Sequence, residues 1–288
     1  MRGRLTILRS DFMVPIPATG LKLLEKAEAN FSLLSPRVVE WTQNKRGDFS
    51  SSTEMMQKLA QKSVSAFSAS NKSLEKIQER QKSYIDYLKE MNVITFGIKA
   101  KSSSPFITGL GFGHPTETGM ILDRNTGLPY IPASSIKGVL RLSQAINCAD
   151  VNGSVDENDE RIVKYFGATS DAQEAKRGQL VILDAYPDSG KVPKLKVDIM
   201  NPHFGKYYSG ENKQPVETES PVPIKFLTVK EGTSFVFRCA FMPLGNKILS
   251  ENERKKIQDD LDAMFKTAFE TVGFGGKTSI GYGRFKIV

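Results

Sequence analysis

Apolar side chains in the N-terminal third of the chain recur mostly at helical spacing. Between Gly20 and about Glu40 the apolar positions fit one helical face, which predicts a helix that is broken near Pro36. These positions are Leu21, Leu24, Ala27, Phe31 and Leu34. Residues 1–19 alternate between polar and apolar and contain two prolines, which favours an extended arm or an edge strand.

A longer helical pattern follows a polar segment. Residues 42–52 are polar and contain a glycine, so we predict a loop there. Ser52 or Thr53 is placed to cap one long helix that reaches Asn92. Its apolar face consists of Met56, Leu59, Ser63, Phe67, Leu74, Ile77, Tyr84 and Leu88. Lysines and acids alternate on the opposite face, which is typical of a solvated surface rather than of an RNA-binding track.

The pattern changes to strands after Asn92. The predicted elements are a strand at 93–100, helices at 134–148 and 160–166, strands near 179–186, 195–200, 222–230 and 233–242, a helix at 251–271 and a final strand from Tyr282. Without insertions this order is βαββαβ, which predicts an α+β fold with a ferredoxin-like or RRM-like core and an inserted β-hairpin. We predict an N-terminal arm and helical elaboration over residues 1–91 and the core over 92–288.

Composition and charge narrow the class of protein. The 288 residues are 39% hydrophobic and 25% charged, which is ordinary for a globular protein. The net charge of +8 favours a polyanionic partner, because lysine and arginine contacts to phosphates release counterions. Cys148 and Cys239 are too few for a disulfide scaffold or a Cys-ligated zinc site. Two isolated cysteines indicate a reducing compartment, and there is no apolar run of membrane-spanning length and no recognisable signal peptide, so we expect a cytoplasmic protein. We expect no metal and no cofactor.

The C-terminal segment GFGGKTSIGYGRFKIV, residues 273–288, is the first candidate binding element. Its glycines are Gly273, Gly275, Gly276, Gly281 and Gly283. Glycine lets another backbone approach closely, so a glycine-rich loop that contains a lysine is a candidate phosphate-binding loop. It follows a helix and precedes a strand, which is the reverse of a P-loop. We predict that Lys277 and Arg284 contact phosphates while the Gly275 and Gly276 amides line the path; the alternative is a glycine C-cap followed by a tight turn.

Two motifs resemble those of a known superfamily. A Gly-aromatic-Gly, about five further residues and a second Gly-aromatic-Gly before the last strand resemble the C-terminal signature of the RAMP superfamily, the RNA-binding proteins of CRISPR systems. Residues 127–141, GLPYIPASSIKGVLR, resemble its other recurrent element, a Pro-x-Ser-Ser-x-Lys-Gly that opens the first helix of the fold. Ala133 stands where members more often have glycine. The resemblance implies an RNA-binding protein.

The start of the helix predicted at 134–148 is a second candidate for phosphate contact. Ser134 or Ser135 is placed to cap this helix, and free amides at a helix N-terminus attract phosphate. Lys137 and Arg141 lie one helical turn apart and share a face. The alternative is an ordinary N-cap beside two surface cations.

A third candidate is the loop GLGFGHPTETG, residues 109–119. Its glycines would let a base stack on Phe112, and His114 would hydrogen-bond RNA. A single histidine in a loop is more often structural, while a catalytic role would make His114 a general base.

A fourth candidate combines aromatic side chains with a cation in residues 198–208. His203, Lys206 and Tyr207 have the composition that binds single-stranded RNA, although interface aromatics for a protein partner explain them equally well. Asp184 and Asp198 lie on neighbouring predicted strands, and we interpret them as strand-end caps rather than as a metal pair.

Further runs over residues 93–288 resemble one particular family within the superfamily. HPTETG, GLPYIPASSIKG, VDIMNPHFGKYY and SPVPIKFLTV resemble the sixth subunit of the Cmr complex, the type III-B CRISPR effector. The resemblance implies a non-catalytic subunit at the head of a ribonucleoprotein, near the 3′ part of the guide RNA, that serves antiviral RNA-guided interference. It also implies contacts with the repeated backbone subunit, the small helical subunit and the other head subunit.

Two alternatives remain open at the level of sequence. One is a metal-independent endoribonuclease that processes CRISPR RNA with His114 or His203 as general base. The other is a protein scaffold whose glycine loop packs against a neighbouring chain.

Overall fold

The structure of this chain is a computed structural model. It describes residues 6–9, 12–14, 29–39, 41–43, 49–51, 54–156, 158–168, 176–201, 204–208, 210–211, 213–214, 223–245 and 248–288. The helices are α1 (Phe31–Leu34), α2 (Met55–Ala69), α3 (Asn71–Glu90), α4 (Ala133–Cys148), α5 (Glu160–Phe166), α6 (Gly205–Tyr208) and α7 (Glu251–Thr267).

The strands are β1 (Thr6–Arg9), β2 (Phe12–Val14), β3 (Trp41–Gln43), β4 (Phe49–Ser51), β5 (Ile94–Ser102), β6 (Gly113–His114), β7 (Glu117–Thr118), β8 (Leu180–Ile182), β9 (Tyr186–Pro187), β10 (Leu195–Met200), β11 (Ile224–Val229), β12 (Ser234–Phe241) and β13 (Phe285–Ile287). A π-helical turn at Ala268–Val272 extends α7, and a 3₁₀ turn covers Thr278–Ile280.

The chain divides into two compact units, each made of separate segments. The first comprises Met1–Ser70, Gly109–Leu128 and Lys194–Val229, and the second comprises Asn71–Thr108, Pro129–Pro193 and Lys230–Val288. The boundary at residue 91 that the sequence predicts stays a prediction.

In the first unit, α2 packs against a pair of antiparallel strands. β10 pairs with β11 so that Leu195 lies opposite Val229, and α2 contacts both strands. The Phe67 ring of α2 meets the Phe31 ring of α1 edge to face, with centroids 5.3 Å apart. β1 to β4 form a separate antiparallel sheet in sequential order, and β6 and β7 form a short hairpin.

The second unit is built on an antiparallel sheet with the strand order β13-β5-β12-β8, and β9 pairs with the other end of β12. Along the chain its main elements run strand, helix, strand, strand, helix, strand: β5, α4, β8, β12, α7 and β13. One face of the sheet carries a cluster of phenylalanines centred on Phe237 of β12. Its ring centroid lies 5.1–6.0 Å from those of Phe265, Phe269, Phe274 and Phe285. This cluster joins the sheet to α7 and to the C-terminal loop.

Helix α3 covers the opposite face of the same sheet. Successive residues of a strand point to opposite faces, so Arg238 points away from the phenylalanine cluster. Its Nη1 donates to the Oε1 atoms of Gln78 at 2.7 Å and of Gln81 at 2.9 Å, both on α3. The Gln78 amide in turn donates to the Pro187 carbonyl at 2.8 Å. Both faces of the sheet are therefore occupied by helices.

Several predicted elements need correction. The single helix predicted to reach Asn92 is wrong, because Ser70 separates α2 from α3. The Ser70 amide donates back to Ala66 and Phe67, and its hydroxyl donates to the Thr126 carbonyl at 2.5 Å. This local arrangement ends α2 where apolar periodicity alone would continue it. The predicted caps Ser52 and Thr53 lie outside the described residues.

The loop predicted over residues 42–52 is also wrong in part. β3 and β4 pair across this segment, with Trp41 opposite Ser51. Serine and threonine are compatible with strands that pair through their backbones, so polarity alone did not distinguish a strand from a loop. Of the helix predicted from Gly20, residues 20–28 lie outside the described part, and α1 ends just before Pro36.

The predicted helices of the core agree with α4 and α5 within one residue. The last helix runs to Val272 only by changing from α to π geometry after Thr267, and β13 begins three residues later than predicted. In the part of the chain that the structure describes, no helix is both long and apolar enough to cross a bilayer.

Candidate nucleic-acid interface

The glycine-rich segment after α7 is anchored by backbone hydrogen bonds to residues 105–107, which follow β5 in the second unit. The Gly276 amide donates to the Ile107 carbonyl at 2.8 Å, and the Gly283 amide donates to the Pro105 carbonyl at 2.9 Å. The Phe274 amide donates to the Gly283 carbonyl at 2.9 Å, which closes the base of the loop. The Gly276 amide is therefore engaged within the protein, and its predicted contact with phosphate stays a prediction.

Two of the glycines are required by crowding as well as by backbone conformation. Gly275 and Gly283 have φ angles of 86° and 70°, which L-residues rarely adopt. A Cβ at Gly275 would overlap the Ile107 carbonyl, and one at Gly283 would overlap the Phe274 carbonyl. Part of the glycine signature therefore serves close packing of the protein backbone on itself.

Arg284 ties the two sides of this loop together. Its Nη1 donates to the Val272 carbonyl at 2.5 Å, and its Nη2 donates to the Thr278 carbonyl at 3.2 Å. The side chain is partly buried and its hydrogen bonds are made within the protein, so Arg284 is placed to stabilise the loop rather than to present a surface cation to phosphate. The phosphate contact predicted for Arg284 stays a prediction.

The outer rim of the loop is open. Ser279, Ile280 and Gly281 are exposed, and Lys277 precedes them with a left-handed φ of 62°. The Lys277 Nζ lies 5.9 Å from the centre of the Tyr282 ring. The 3₁₀ turn at Thr278–Ile280 directs the chain away from the core and back. A cation is thus held at the edge of a loop with little side-chain bulk.

The N-terminus of α4 is capped by an acid rather than by its own serines. Pro132 is the N-cap residue and makes no side-chain cap, while the Ala133 amide donates to Asp184 Oδ1 at 2.7 Å. The prediction that Ser134 or Ser135 caps the helix is wrong, and both serines are exposed. A carboxylate already occupies the end of the helix that would attract phosphate, which weakens that site electrostatically. Asp184, which we interpreted from the sequence as a strand-end cap, thus caps the N-terminus of α4 instead.

The two cations on α4 have different surroundings. Arg141 Nη1 donates to the Gly167 carbonyl at 3.2 Å, at the C-terminal end of α5. Lys137 is half-buried, and Gly138 beside it is exposed, with nothing within 4 Å of the place a Cβ would take. Because the protein itself leaves this space empty, Gly138 is free to admit a ligand backbone.

His114 is held as a structural residue in the β6–β7 hairpin. The Thr116 amide donates to His114 Nδ1 at 3.2 Å, and the Thr116 hydroxyl lies 2.7 Å from the same atom. An acceptor at Nδ1 assigns the proton to Nε2. Burial lowers the pKa of His114, and a hydrogen bond to the Ser35 backbone opposes this shift. The ring is therefore neutral near pH 7, with its basic nitrogen already occupied.

Of the remaining residues that we predicted to contact RNA, some are exposed and others lie outside the described part of the chain. Phe112 is 61% exposed beside the hairpin, and Tyr207 and Tyr208 are exposed on α6, with ring centroids 5.5 Å apart. His203 lies outside the described residues, and only the backbone of Lys206 is described. The exposed aromatic rings are suited to stacking on bases or to a protein interface. Asp198 accepts a hydrogen bond from the following amide, that of Ile199. Among the described residues, no group of three or more His, Cys, Asp or Glu side chains is placed to hold a metal ion.

The sequence did not indicate that α3 covers one face of the sheet. An RRM binds RNA on its sheet surface, but here Gln78, Gln81 and Arg238 join α3 to that surface. Two glutamines three positions apart lie next to the apolar face of the predicted helix. Their position was compatible with a contact, but the sequence did not identify Arg238 as the partner. The sheet face that α3 covers is therefore not exposed to a ligand.

Comparisons with known proteins agree with this architecture. Residues 99–286 match the family described as the RAMP superfamily. The CRISPR system Cmr subunit Cmr6 of Pyrococcus furiosus is 30% identical, over 74% of this chain and 73% of that protein. The corresponding Cmr6 of Saccharolobus solfataricus is 26% identical, over 73% of this chain and 65% of its own length.

A solved structure supports the fold. A chain in the cryo-EM structure of the type III-B Cmr-beta bound to cognate target RNA superposes with a TM-score of 0.54 at 22% identity, over 74% of this chain and 65% of that one. The chain belongs to the RAMP superfamily. Within it, the chain is similar to the Cmr6 subunits of the two organisms above, although it spans only about two thirds of the length of some of these relatives.

Proposed function

We propose that this protein is a non-catalytic RNA-binding subunit of a type III-B CRISPR ribonucleoprotein effector, at the head of the complex near the 3′ part of the guide RNA. The proposal is supported by the family match over residues 99–286 and by the likeness to two Cmr6 proteins. In this role the protein works in the cytoplasm, beside the repeated backbone subunit, the small helical subunit and the other head subunit.

The core of the second unit is, on this proposal, a ferredoxin-like fold. The strand order β13-β5-β12-β8 places the first and third strands of the βαββαβ order in the middle and the second and fourth at the edges. The β10–β11 pair is then the hairpin inserted between the second and third strands of that core.

The observation that carries the proposal is the rim of the glycine loop. Lys277 is presented on a segment that is fixed at its base by hydrogen bonds to Pro105 and Ile107 and braced by Arg284. Because the backbone that carries Lys277 is already ordered, less conformational freedom is lost when this lysine binds phosphate than when a lysine on a mobile loop does so. Lys137 on α4 is the second cation that we assign to the RNA. Such contacts position RNA without selecting its sequence.

We propose no catalytic step for this chain. The geometry of His114 supports this, because Nδ1 accepts from the Thr116 amide and Nε2 carries the proton. A general base needs a free nitrogen within reach of the proton that it removes. Target RNA is then cleaved elsewhere in the assembly.

The test uses end-labelled, guide-like single-stranded RNA and the full chain without added metal. Each incubation is divided between a native gel, which reports binding, and a denaturing gel, which reports cleavage. We expect the RNA to stay intact and to migrate as a complex on the native gel. Lys277→Ala and Lys137→Ala should each lower the affinity a few-fold and lower the slope of log affinity against log salt by about one phosphate contact. Lys191→Ala, an exposed lysine on a turn remote in sequence, is the matched control and should bind normally.

Three outcomes would contradict the proposal. Defined RNA fragments that disappear in His114→Ala would make the protein a nuclease. A salt-independent interaction would favour a protein scaffold whose glycine loop contacts a neighbouring chain, and an equal loss in the Lys191 control would show that overall charge, rather than the two assigned lysines, binds the RNA.

A further inference from the structure

The second unit has an open cleft that none of the sequence motifs indicated. It has a volume of about 590 Å³ and lies between α5, the segment just before β8 and the first half of α7. Five of its lining side chains are cations, namely Arg161, Lys164, Lys176, Arg177 and Lys256. Two are acids, Glu160 and Asp260. The cleft therefore carries an excess of positive charge contributed by three separate elements.

Internal partners engage one acid and one cation of the cleft, and the excess of cations remains. The Tyr165 hydroxyl donates to Asp260 Oδ2 at 2.6 Å, beneath the cleft. Burial and this hydrogen bond raise the pKa of Tyr165, so the hydroxyl stays a donor at any ordinary pH. Arg161 is paired with Asp159 through Nε at 2.9 Å and Nη2 at 2.5 Å. Lys176 and Arg177, which form the rim of the cleft, are both exposed, so this rim is positively charged.

The rim is held in place by close backbone packing. Gly178 lies against the end of α5, where a Cβ would meet the Phe166 carbonyl carbon and the Gly167 amide at under 3 Å. The Ala168 amide donates to the Lys176 carbonyl at 2.9 Å, and the Gln179 amide donates to the Lys164 carbonyl at 3.1 Å. The backbone that carries the two rim cations is therefore fixed to α5.

The floor of the cleft is aliphatic rather than aromatic. Leu244 is 52% exposed and Val163 is half-buried. Tyr165 is fully buried, so it offers no ring face to a ligand, and the Lys164 Nζ lies 5.2 Å from its ring centre. Sites for single-stranded RNA commonly combine cations for the phosphates with exposed aromatic rings on which bases stack. None of the lining residues described here offers one.

The cleft is also separate from the glycine loop. Lys256 lies eleven residues before the end of α7 at Thr267, which corresponds to about 16 Å along the helix axis. The glycine loop begins beyond the π-helical turn that follows. Lys256 in the cleft and Lys277 in the glycine loop are thus well separated along α7 and the turn that follows it.

We propose that this cleft binds an acidic peptide segment of a partner protein, with an aliphatic side chain against Leu244 and Val163 and carboxylates against Lys176, Arg177 and Lys256. The excess of cations fits carboxylates, and the exposed leucine fits an aliphatic side chain. The inference goes beyond the proposed function, which assigns RNA to the glycine loop, and either can fail without the other.

The test measures fluorescence anisotropy with the full chain and a labelled peptide that alternates glutamate with leucine. Its controls are the same peptide with glutamine in place of glutamate, and labelled oligouridine. We expect the acidic peptide to bind more tightly than the glutamine peptide and to weaken with salt. The double variant Lys176→Glu with Arg177→Glu should weaken it about tenfold, since two attractive charge contacts become repulsive. Leu244→Ser should weaken it severalfold, and Lys191→Glu, the matched surface reversal, should have little effect.

Three outcomes would overturn the proposal. Equal binding of the two peptides would show that charge does not select the ligand. An unchanged affinity in the double variant would place the peptide elsewhere on this basic protein. If oligouridine binding falls in the double variant while the acidic peptide does not bind, the cleft is part of an RNA path. A Lys277→Ala variant that loses RNA but keeps the peptide would separate this site from the one proposed above.

Discussion

The base of the glycine loop offers a paired test of why its glycines are there. Gly281 and Gly283 both have positive φ angles, 93° and 70°. A Cβ at Gly281 would meet nothing within 4 Å, whereas one at Gly283 would overlap the Phe274 carbonyl and lie 2.8 Å from the Phe274 nitrogen. Gly283→Ala and Gly281→Ala therefore share the cost of the backbone conformation and differ in crowding.

The expected magnitudes follow from these two terms. A left-handed conformation costs a residue other than glycine about 1–2 kcal/mol, and this applies to both variants. Relief of the overlap at Gly283 requires a backbone shift, for which overpacked sites cost about 1–3 kcal/mol more. Phe274 is fully buried and its ring lies 5.3 Å from that of Phe237, so the shift would reach the centre of the core. We expect Gly283→Ala to lose about 2–5 kcal/mol in total.

Urea unfolding followed by far-UV circular dichroism gives the free energy of unfolding of each variant. The difference between the two variants isolates the crowding, because the conformational cost cancels. Equal stabilities would refute the argument that Gly283 is fixed by close backbone packing. A Gly281→Ala variant less stable than Gly283→Ala would refute the geometry of the loop itself.

Three further predictions concern α4, the hairpin and the covered sheet face. Gly138→Ala should raise the free energy of unfolding by about 0.5–1 kcal/mol, because alanine is the better helix former and its Cβ meets open space. The same Cβ should weaken binding of guide-like RNA, since the ligand backbone is expected to approach at this position. Thermal unfolding measures the first effect and gel shifts the second, and a loss of stability would contradict the open geometry. Because the pKa of His114 is lowered in the folded protein, the unfolded chain takes up the proton first as the pH falls, so the free energy of unfolding should fall below about pH 6.5. The loss is at most about 1.4 kcal/mol for each unit by which folding lowers this pKa. In urea unfolding between pH 5 and 7, the stability of His114→Gln should depend less steeply on pH, and an unchanged pH dependence would contradict this. Arg238→Met keeps an apolar stem but leaves the buried Gln78 oxygen without its donor, at a cost of about 1–3 kcal/mol in the free energy of unfolding; a change within error of zero would show that α3 is not held by this contact.

Local patterns in the sequence determined the helices of the core and the position of its motifs. α4 and α5 follow from apolar periodicity, and the glycine segment follows from composition, because both depend on residues near one another in the chain. The same locality explains the failures. Apolar periodicity continues through Ser70, so the end of α2 was missed, since the Thr126 carbonyl that accepts from the Ser70 hydroxyl is distant in sequence.

Only the tertiary structure decided which polar groups are available for binding. Asp184 reaches the Ala133 amide across fifty-one residues and replaces the serine caps that the sequence favoured. The Gly276 amide donates to the carbonyl of Ile107, which lies between β5 and β6 and is far from it in the chain. Lys176 and Arg177 line the same cleft as Lys256 because backbone packing fixes their segment to α5. The sequence by itself determined where cations, glycines and helices occur, whereas the pairing of residues distant in the chain determined which of them face a ligand, because a hydrogen bond satisfied within the protein is no longer offered to a partner.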